Sequence, residues 1–335
     1  MANPIYDNRE SLIYRSIVSA DELVPLIQAN YPLELPLQCV LLQSGVNDIY
    51  LVTAQTQKYI LRVSHIRRYG FFDESAYRFE LDLLSYLQVR GLPVSYPLVR
   101  RDNDMLGAIA TPEGRRFYSL FSFAEGGILS SLKEEYAFIL GEVLAKIHLA
   151  MDEFPTSQHR FHLDEEFLIN EPLRRLRMIP QIPVENISFL QELSVTLQGS
   201  LQNLSRQGEE YGIIHGDFWW ENVHFLDKRA TFFDFDFCGY GWRAYDIGSL
   251  RGTAMATGFD LSEEVVDTFV RGYQSVRKLT EAELAALPAF EKIRLVWVMG
   301  LWTTFINVLG LNWFLQSTAQ IVSILKKWGE QDKKS

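Results

Sequence analysis

Residues 211–240 read YGIIHGDFWWENVHFLDKRATFFDFDFCGY. Within them, residues 223–226 are strand-like, Asp227-Lys228-Arg229 supplies turn residues, and residues 230–233 are strand-like again. The spacing predicts a hairpin. With its centre at Lys228, Asn222 lies six residues before the centre and Asp234 six after it. Antiparallel pairing then sets the two opposite each other, with Cβ atoms roughly 5 Å apart. An amide oxygen and a carboxylate at the mouth of a hairpin make a hard-oxygen site. Magnesium takes such ligands and keeps waters and substrate phosphates for the rest of its shell.

Asp217 stands five residues before Asn222, on the loop entering this hairpin. A carboxylate there can accept a proton from an attacking hydroxyl while the metal holds phosphates. Phosphoryl transfer asks little more of a protein than positioning and charge neutralisation. Gly216 would let the backbone bend tightly beside that carboxylate. Asn and Asp are also ordinary strand-end and turn residues. The joint occurrence of H-x-D-x-x-x-x-N and an Asp at the matching hairpin position weighs against that plainer reading.

These residues carry a family resemblance. His215-Gly216-Asp217-Phe218-Trp219-Trp220-Glu221-Asn222 resembles the catalytic loop of the aminoglycoside phosphotransferase/choline kinase family. Phe233-Asp234-Phe235-Asp236 resembles its metal-binding motif, and Tyr245-Asp246-Ile247-Gly248 its Y-D-L-A/G element. The resemblance implies that Asp217 is the catalytic base, that Asn222 and Asp234 bind magnesium with Asp236 assisting, and that Asp246 anchors the catalytic loop. Trp219, Trp220 and Glu221 lie within that loop and are candidates for contact with the acceptor. The motifs around His162-Leu163-Asp164 and residues 167–173 look closer to the homoserine kinase type II and bacterial stress-response kinase branch.

Towards the N-terminus the resemblance continues through weaker motifs. Ser44-Gly45-Val46-Asn47-Asp48 looks like the phosphate-covering loop, with Ser44, Gly45 and Asn47 as its contacts. Arg62 stands where the family brings a cation to the α- and β-phosphates of ATP. It replaces a lysine, which changes reach and geometry while keeping the charge. Glu80 resembles the glutamate that pairs with this cation. The stretch 119–124, with Phe123 and Ala124 at its end, resembles the hinge whose backbone meets adenine. Together these motifs imply an α+β, bilobal, protein-kinase-like fold. A small β-rich N-terminal lobe would span residues 1–124 and a larger, mainly helical C-terminal lobe residues 125–335, with a small-molecule site expected in the cleft between them.

Local patterns agree with that plan. Ser19-Ala20-Asp21-Glu22 has capping-box form and opens a helix to about residue 29. Strand-like runs occupy 37–42, 49–53, 59–63, 107–111 and 116–121. A helix from about 73 to 89 places Phe79, Leu83, Leu84 and Leu87 at helical spacing. Ser131 and Glu134 have capping-box spacing ahead of a buried stripe that runs from Leu132 to Ile147. Helical patterns recur over 164–177 and 187–204, and beyond the central motif the chain reads as helical to its end.

The formal net charge of −10 disfavours nucleic acid as a partner and suits a cationic or zwitterionic acceptor. Cys39 and Cys238 form no metal or disulfide pattern. Met1-Ala2-Asn3-Pro4 carries no secretory signal, so a cytoplasmic setting is expected. Residues 295–325 lack charge, but polar residues and Gly310-Leu311-Asn312 divide them, which favours two buried helices over a membrane span. His159 and His162 read as loop residues, His148 as a packing histidine, and Trp297, Trp302 and Trp313 as core. The expected reactants are MgATP and either a hydroxylated, possibly cationic small molecule or a protein Ser/Thr. A monomer or a homodimer is expected. The competing readings are a nucleotide-binding regulatory scaffold, a metal-dependent phosphohydrolase lacking a full His/Asp cluster, and a membrane protein.

Overall fold

The computed structural model describes residues 13–66, 69, 73–259 and 261–332; the Met1-Ala2-Asn3-Pro4 stretch lies outside them. The chain forms two compact units. The first takes residues up to 68 together with Leu98–Ser122, and the second takes Tyr69–Pro97 and everything from Phe123 onward. The chain thus leaves the first unit and returns to it before residue 124.

In the first unit, helix α1 (Ala20–Asn30) is capped by Ser19, whose hydroxyl accepts from Asp21 N at 3.3 Å. Strands β1 (Leu37–Ser44), β2 (Asn47–Ala54) and β3 (Gln57–Ser64) follow. After helix α2 (Glu74–Val89) of the second unit come β4 (Gly107–Thr111) and β5 (Gly114–Ser122). The five strands pair antiparallel in the order β1-β2-β3-β5-β4, with a bulge between Leu41 and Gln43. Alternate residues Tyr50, Val52, Leu61, Val63, Tyr118 and Leu120 turn to one side and bury Leu23 and Ile27 of α1 and Tyr31, which follows it. Period-two apolar spacing on strands, met by an i, i+4 pair on a helix, is the local reason that this face closes. Each large apolar side chain so buried contributes about 1.5–3 kcal/mol.

The second unit continues with α3 (Glu134–Asp152), β6 (His162–Leu163), a π-helical turn at Glu166–Asn170 running into α4 (Glu171–Arg177), and α5 (Val184–Ser200). Then come β7 (Tyr211–Ile214), β8 (Val223–Leu226), β9 (Arg229–Phe232), β10 (Gly239–Trp242), α6 (Arg243–Ala256), α7 (Glu263–Gln274), α8 (Glu281–Trp302), α9 (Ile306–Leu309) and α10 (Leu311–Asp332). Strand β10 sits between β6, parallel to it, and β7, antiparallel. That strand corrects the expectation of helix throughout after the central motif: Gly239, Tyr240 and Gly241 satisfy their backbone groups across two neighbours. The Ser131 cap is also not formed, since Lys133 holds the N-cap position of α3 and makes no side-chain bond to it.

Helices α3 and α7 cross at glycines. A Cβ at Gly141 would lie 2.1 Å from Phe269 O, and one at Gly272 2.1 Å from Phe138 O, so neither helix tolerates a side chain there. The uncharged stretch is broken by a 3-10 turn at Thr303–Phe305 and by Gly310 at φ +90°. Among the described residues no helix is long and apolar enough to cross a membrane. Trp297 is buried, whereas Trp302 and Trp313 are half-buried and pair at 5.6 Å.

Candidate active site

The loop after β7 hangs from one carboxylate. Asp246, in the first turn of α6, is fully buried. Its Oδ2 accepts from His215 N at 2.7 Å and its Oδ1 from Gly216 N at 2.9 Å. Antiparallel pairing of β10 with β7 sets Trp242 beside Tyr211, at the start of β7, and the first turn of α6 then brings Asp246 to the backbone that follows Ile214. Gly216 adopts φ +79°, and a Cβ there would lie 2.2 Å from Phe237 O. Both the left-handed backbone and the close approach call for glycine.

His148 of α3 completes this anchor, with Nε2 3.0 Å from Asp246 Oδ2 and Nδ1 2.9 Å from Tyr273 Oη. A carboxylate has no proton to offer, so Nε2 donates to it and Nδ1 accepts from the phenol. Burial pushes the imidazole pKa down to about 4 against the partial compensation of Asp246. The unfolded chain protonates His148 near its ordinary value of about 6.5 and the folded chain does not, so stability falls as pH drops from about 6.5 towards 4. The full loss amounts to roughly 3 kcal/mol. Urea unfolding at pH 7 and pH 5 should show this dependence, and His148→Gln, which keeps one donor and one acceptor, should weaken it. An identical pH dependence in the variant would count against the assignment.

The hairpin forms, but in a different register from the one expected. Val223 pairs with Phe232 and Leu226 with Arg229, so the turn is the two residues Asp227-Lys228, with Asp227 at φ +53°. Asn222 therefore stands opposite Phe233, whose N–H donates to Asn222 O at 3.0 Å, and not opposite Asp234. The sequence count assumed a three-residue turn; the left-handed Asp227 closes it in two. Asp234 follows one residue on, at φ +63° and ψ +55°, and heads the 3-10 turn Phe235–Phe237. A left-handed aspartate is uncommon and redirects the chain at this point.

Several bonds tie loop and hairpin together. Asn222 Nδ2 donates to Asp217 O at 2.9 Å. His215 Nε2 donates to Phe233 O at 3.1 Å, and its ring lies 4.3 Å from that of Phe235. Burial lowers the His215 pKa and favours this neutral form. Arg160, itself buried, donates to the carbonyls of Asp236 and Cys238 and so clamps the 3-10 turn. The Asp217 side chain is 19% exposed, and its Oδ1 accepts from Arg294 Nη2 of α8. Trp219 is half-buried beside it in sequence, while Trp220 is buried against Phe259 at 5.4 Å. Burial raises the Glu221 carboxyl pKa. Arg160, Arg294 and the linking role of His148 were not read from the sequence. A lone arginine in the apolar run 293–297 is the signal that marks Arg294.

In the first unit, Ser44 and Asn47 flank the turn between β1 and β2, and Gly45 N donates to Asn47 O at 2.9 Å. The buried Asp48 accepts from Arg116 Nη2 at 2.7 Å and Arg15 Nη2 at 3.1 Å, and lies 3.1 Å from His65 Nε2. Its bond with Ser44 fixes the start of the turn. Burial works to raise its pKa, but the bonds from His65, Ser44 and Arg116 hold it well below the carboxylate range. Arg62 lies on β3 with its guanidinium 4.8 Å from the centre of the Phe121 ring. In the second unit, Glu80 is buried on α2, Phe123 lies edge-on to His224 at 6.1 Å, and Ala124 O is 2.6 Å from His224 Nδ1.

Residues 39–287 match the model of the phosphotransferase enzyme family (APH), and the chain belongs to that family. An uncharacterized protein of Synechocystis sp. is 33% identical over 299 residues, covering 89% of this chain and 81% of its own. The amicoumacin kinase of Bacillus subtilis is 26% identical over 274 residues, 78% of each chain. The homoserine kinase of Rhizobium johnstonii is 30% identical over 226 residues, 66% of each. Among solved structures, a microcompartment-associated aminopropanol kinase superposes with a TM-score of 0.78 at 21% identity, covering 93% of this chain and 98% of that one. An amicoumacin kinase in complex with AMP-PNP, Ca2+ and Ami gives 0.75 at 22%, covering 91% and 92%. The fold is therefore the α+β, protein-kinase-like one, with a small β-rich part and a larger helical part.

Proposed function

We propose that this phosphotransferase moves the γ-phosphoryl group of ATP to a hydroxyl of a small amino-bearing molecule, with Asp217 as general base. The observation that carries the proposal is the bond from Asn222 Nδ2 to Asp217 O at 2.9 Å, which locks the base loop onto the mouth of the hairpin. The acceptor oxygen forms a bond to the γ-phosphorus, and its proton passes to Asp217. The bond from that phosphorus to the β–γ bridging oxygen breaks, and its electron pair leaves with ADP.

Asn222, Asp234 and Asp236 would hold magnesium. Among the described residues no cluster of three His, Cys, Asp or Glu side chains could hold a metal by itself. An amide oxygen and two carboxylates are instead a donor set for an ion that keeps waters and nucleotide phosphates. When bound, magnesium neutralises charge on the phosphate oxygens. The nucleotide contacts we assign are Ser44, Gly45, Asn47, Arg62, Glu80, Phe123 and Ala124. We take residues 1–124 as the nucleotide-binding lobe and residues 125–335 as the catalytic and acceptor-binding lobe.

The names of similar proteins, homoserine kinase, aminopropanol kinase and amicoumacin kinase, support this reading of the acceptor. The net charge of −10 and Glu221 in the loop suit an acceptor carrying an ammonium group. Labelled ATP offered with a panel of amino alcohols, hydroxyamino acids, aminoglycosides and generic proteins tests this. Label on a protein alone would overturn it. MgATP at about 100 times its Kd should add about 2.7 kcal/mol of stability, read as a rise in Tm, and ATP with a chelator should add less. The same shift with and without chelator would remove the metal from the reading.

A further inference from the structure

Arg294 sits in the run Ile293-Arg294-Leu295-Val296-Trp297 of α8 and is 3% exposed. A guanidinium in such surroundings is costly to desolvate unless its bonds repay it. The buried Tyr245 side chain of α6 interacts with it, and three further contacts hold it. Nε donates to Thr253 Oγ1 of α6 at 2.7 Å, the guanidinium lies 4.6 Å from the centre of the Trp297 ring, and Nη2 donates to Asp217 Oδ1. Gly252 makes the approach of α8 possible, since a Cβ there would lie 2.5 Å from Glu291 O and 2.9 Å from Arg294 Cβ. Nη1 is buried and has no hydrogen-bond partner. Nη2 is thus the arm of the guanidinium that reaches Asp217, at one oxygen of its carboxylate.

An aspartate carboxylate otherwise turns freely, because its last torsion is broad and two-fold. With Oδ1 held, Oδ2 is the oxygen left to face an incoming group, on a side chain that is 19% exposed. We propose that Arg294 is a positioning residue for phosphoryl transfer: it fixes the rotation of Asp217 so that Oδ2 receives the acceptor proton. This rests on Asp217 being the base. Thr253 and the Trp297 face act one step behind, by holding the guanidinium itself. Geometry of this kind matters because a displacement of about 1 Å at a reacting group can cost about 100-fold in rate.

The test compares Arg294→Met and Arg294→Lys, each alone and combined with Asp217→Asn, using labelled ATP over long incubations. Arg294→Met should lower kcat about 10–100-fold with little change in the KM for ATP. Arg294→Lys should restore part of the loss. In the Asp217→Asn background Arg294→Met should have little further effect, because the group it positions is already disabled. Thr253→Val keeps both charges and frees only Nε. It should lower kcat in the same direction, and it carries the test if the Arg294 variants do not fold. Unchanged kcat in Arg294→Met, or the same fold-loss in both backgrounds, would overturn the proposal and leave a structural arginine. Full turnover by Asp217→Asn would instead show that the base assignment had failed.

Discussion

Asp217→Asn should lower kcat by about 10²–10⁴-fold, the usual contribution of a positioned general base, while nucleotide affinity stays close to that of the parent. The amide has the same shape, and its oxygen can still accept from Arg294 Nη2, so the ion-pair geometry around α8 loses charge but not its hydrogen bond. The backbone carbonyl of residue 217, which receives Asn222 Nδ2, is untouched. What the amide cannot do is take a proton at the oxygen that faces the acceptor. Single-turnover measurement separates chemistry from product release. A variant whose chemical step stays within tenfold of the parent would remove Asp217 from the role of base.

Asp246→Ala should have the largest effect on stability of any single change at this site, with activity lost as a consequence. Three donors converge on the carboxylate: His215 N, Gly216 N and His148 Nε2, at 2.7, 2.9 and 3.0 Å. All are interior, and Asp246 is fully buried. An orphaned buried donor costs about 1–3 kcal/mol, so the three together amount to about 3–9 kcal/mol if the backbone does not relax. That is a large part of the 5–15 kcal/mol by which a domain is stable. Asp246→Asn should fall in between, since one amide oxygen can serve only one side and its NH2 faces other donors. Urea midpoints for the parent and both variants check the ranking. An Asp246→Ala variant as stable as the parent would mean that the loop is held from elsewhere. Asp217→Asn keeps the hydrogen bond but leaves the buried Arg294 guanidinium without its counter-charge, so its urea midpoint should fall too, and rates are compared on folded protein.

How far the sequence could be read is clearest at the hairpin. The strand-like runs 223–226 and 230–233 matched β8 and set β9 one residue late, since Arg229 opens that strand and Phe232 ends it. Their register was missed by one residue. Whether Asp227 and Lys228 or three residues make the turn depends on a backbone angle at Asp227 that no composition reveals. The first-unit strands and α2 were legible for the same local reasons, down to Asp73, whose side chain accepts from Ala76 N at 2.9 Å. Strand β10 was not. Four residues rich in glycine and aromatics have no period of their own and become a strand only between β6 and β7.

At the site the division is similar. Asp217, Asn222, Asp234, Asp236 and Asp246 lie within 30 residues of one another, so their chemistry could be read as a pattern. His148, Arg160 and Arg294 act on that pattern from 98, 76 and 77 residues away, measured to Asp246, Asp236 and Asp217. By itself, the sequence determined most of the helices and strands and the family the chain belongs to, and it supplied the residues proposed for phosphoryl transfer. These are consequences of local periodicity and of functional groups spaced along one loop. The tertiary structure alone decided the hairpin register, the neutral tautomer of His148, the clamp from Arg160, and the arginine that grips Asp217. Each depends on two distant segments meeting in a desolvated place, where a single hydrogen bond directs a side chain that spacing in the chain does not constrain.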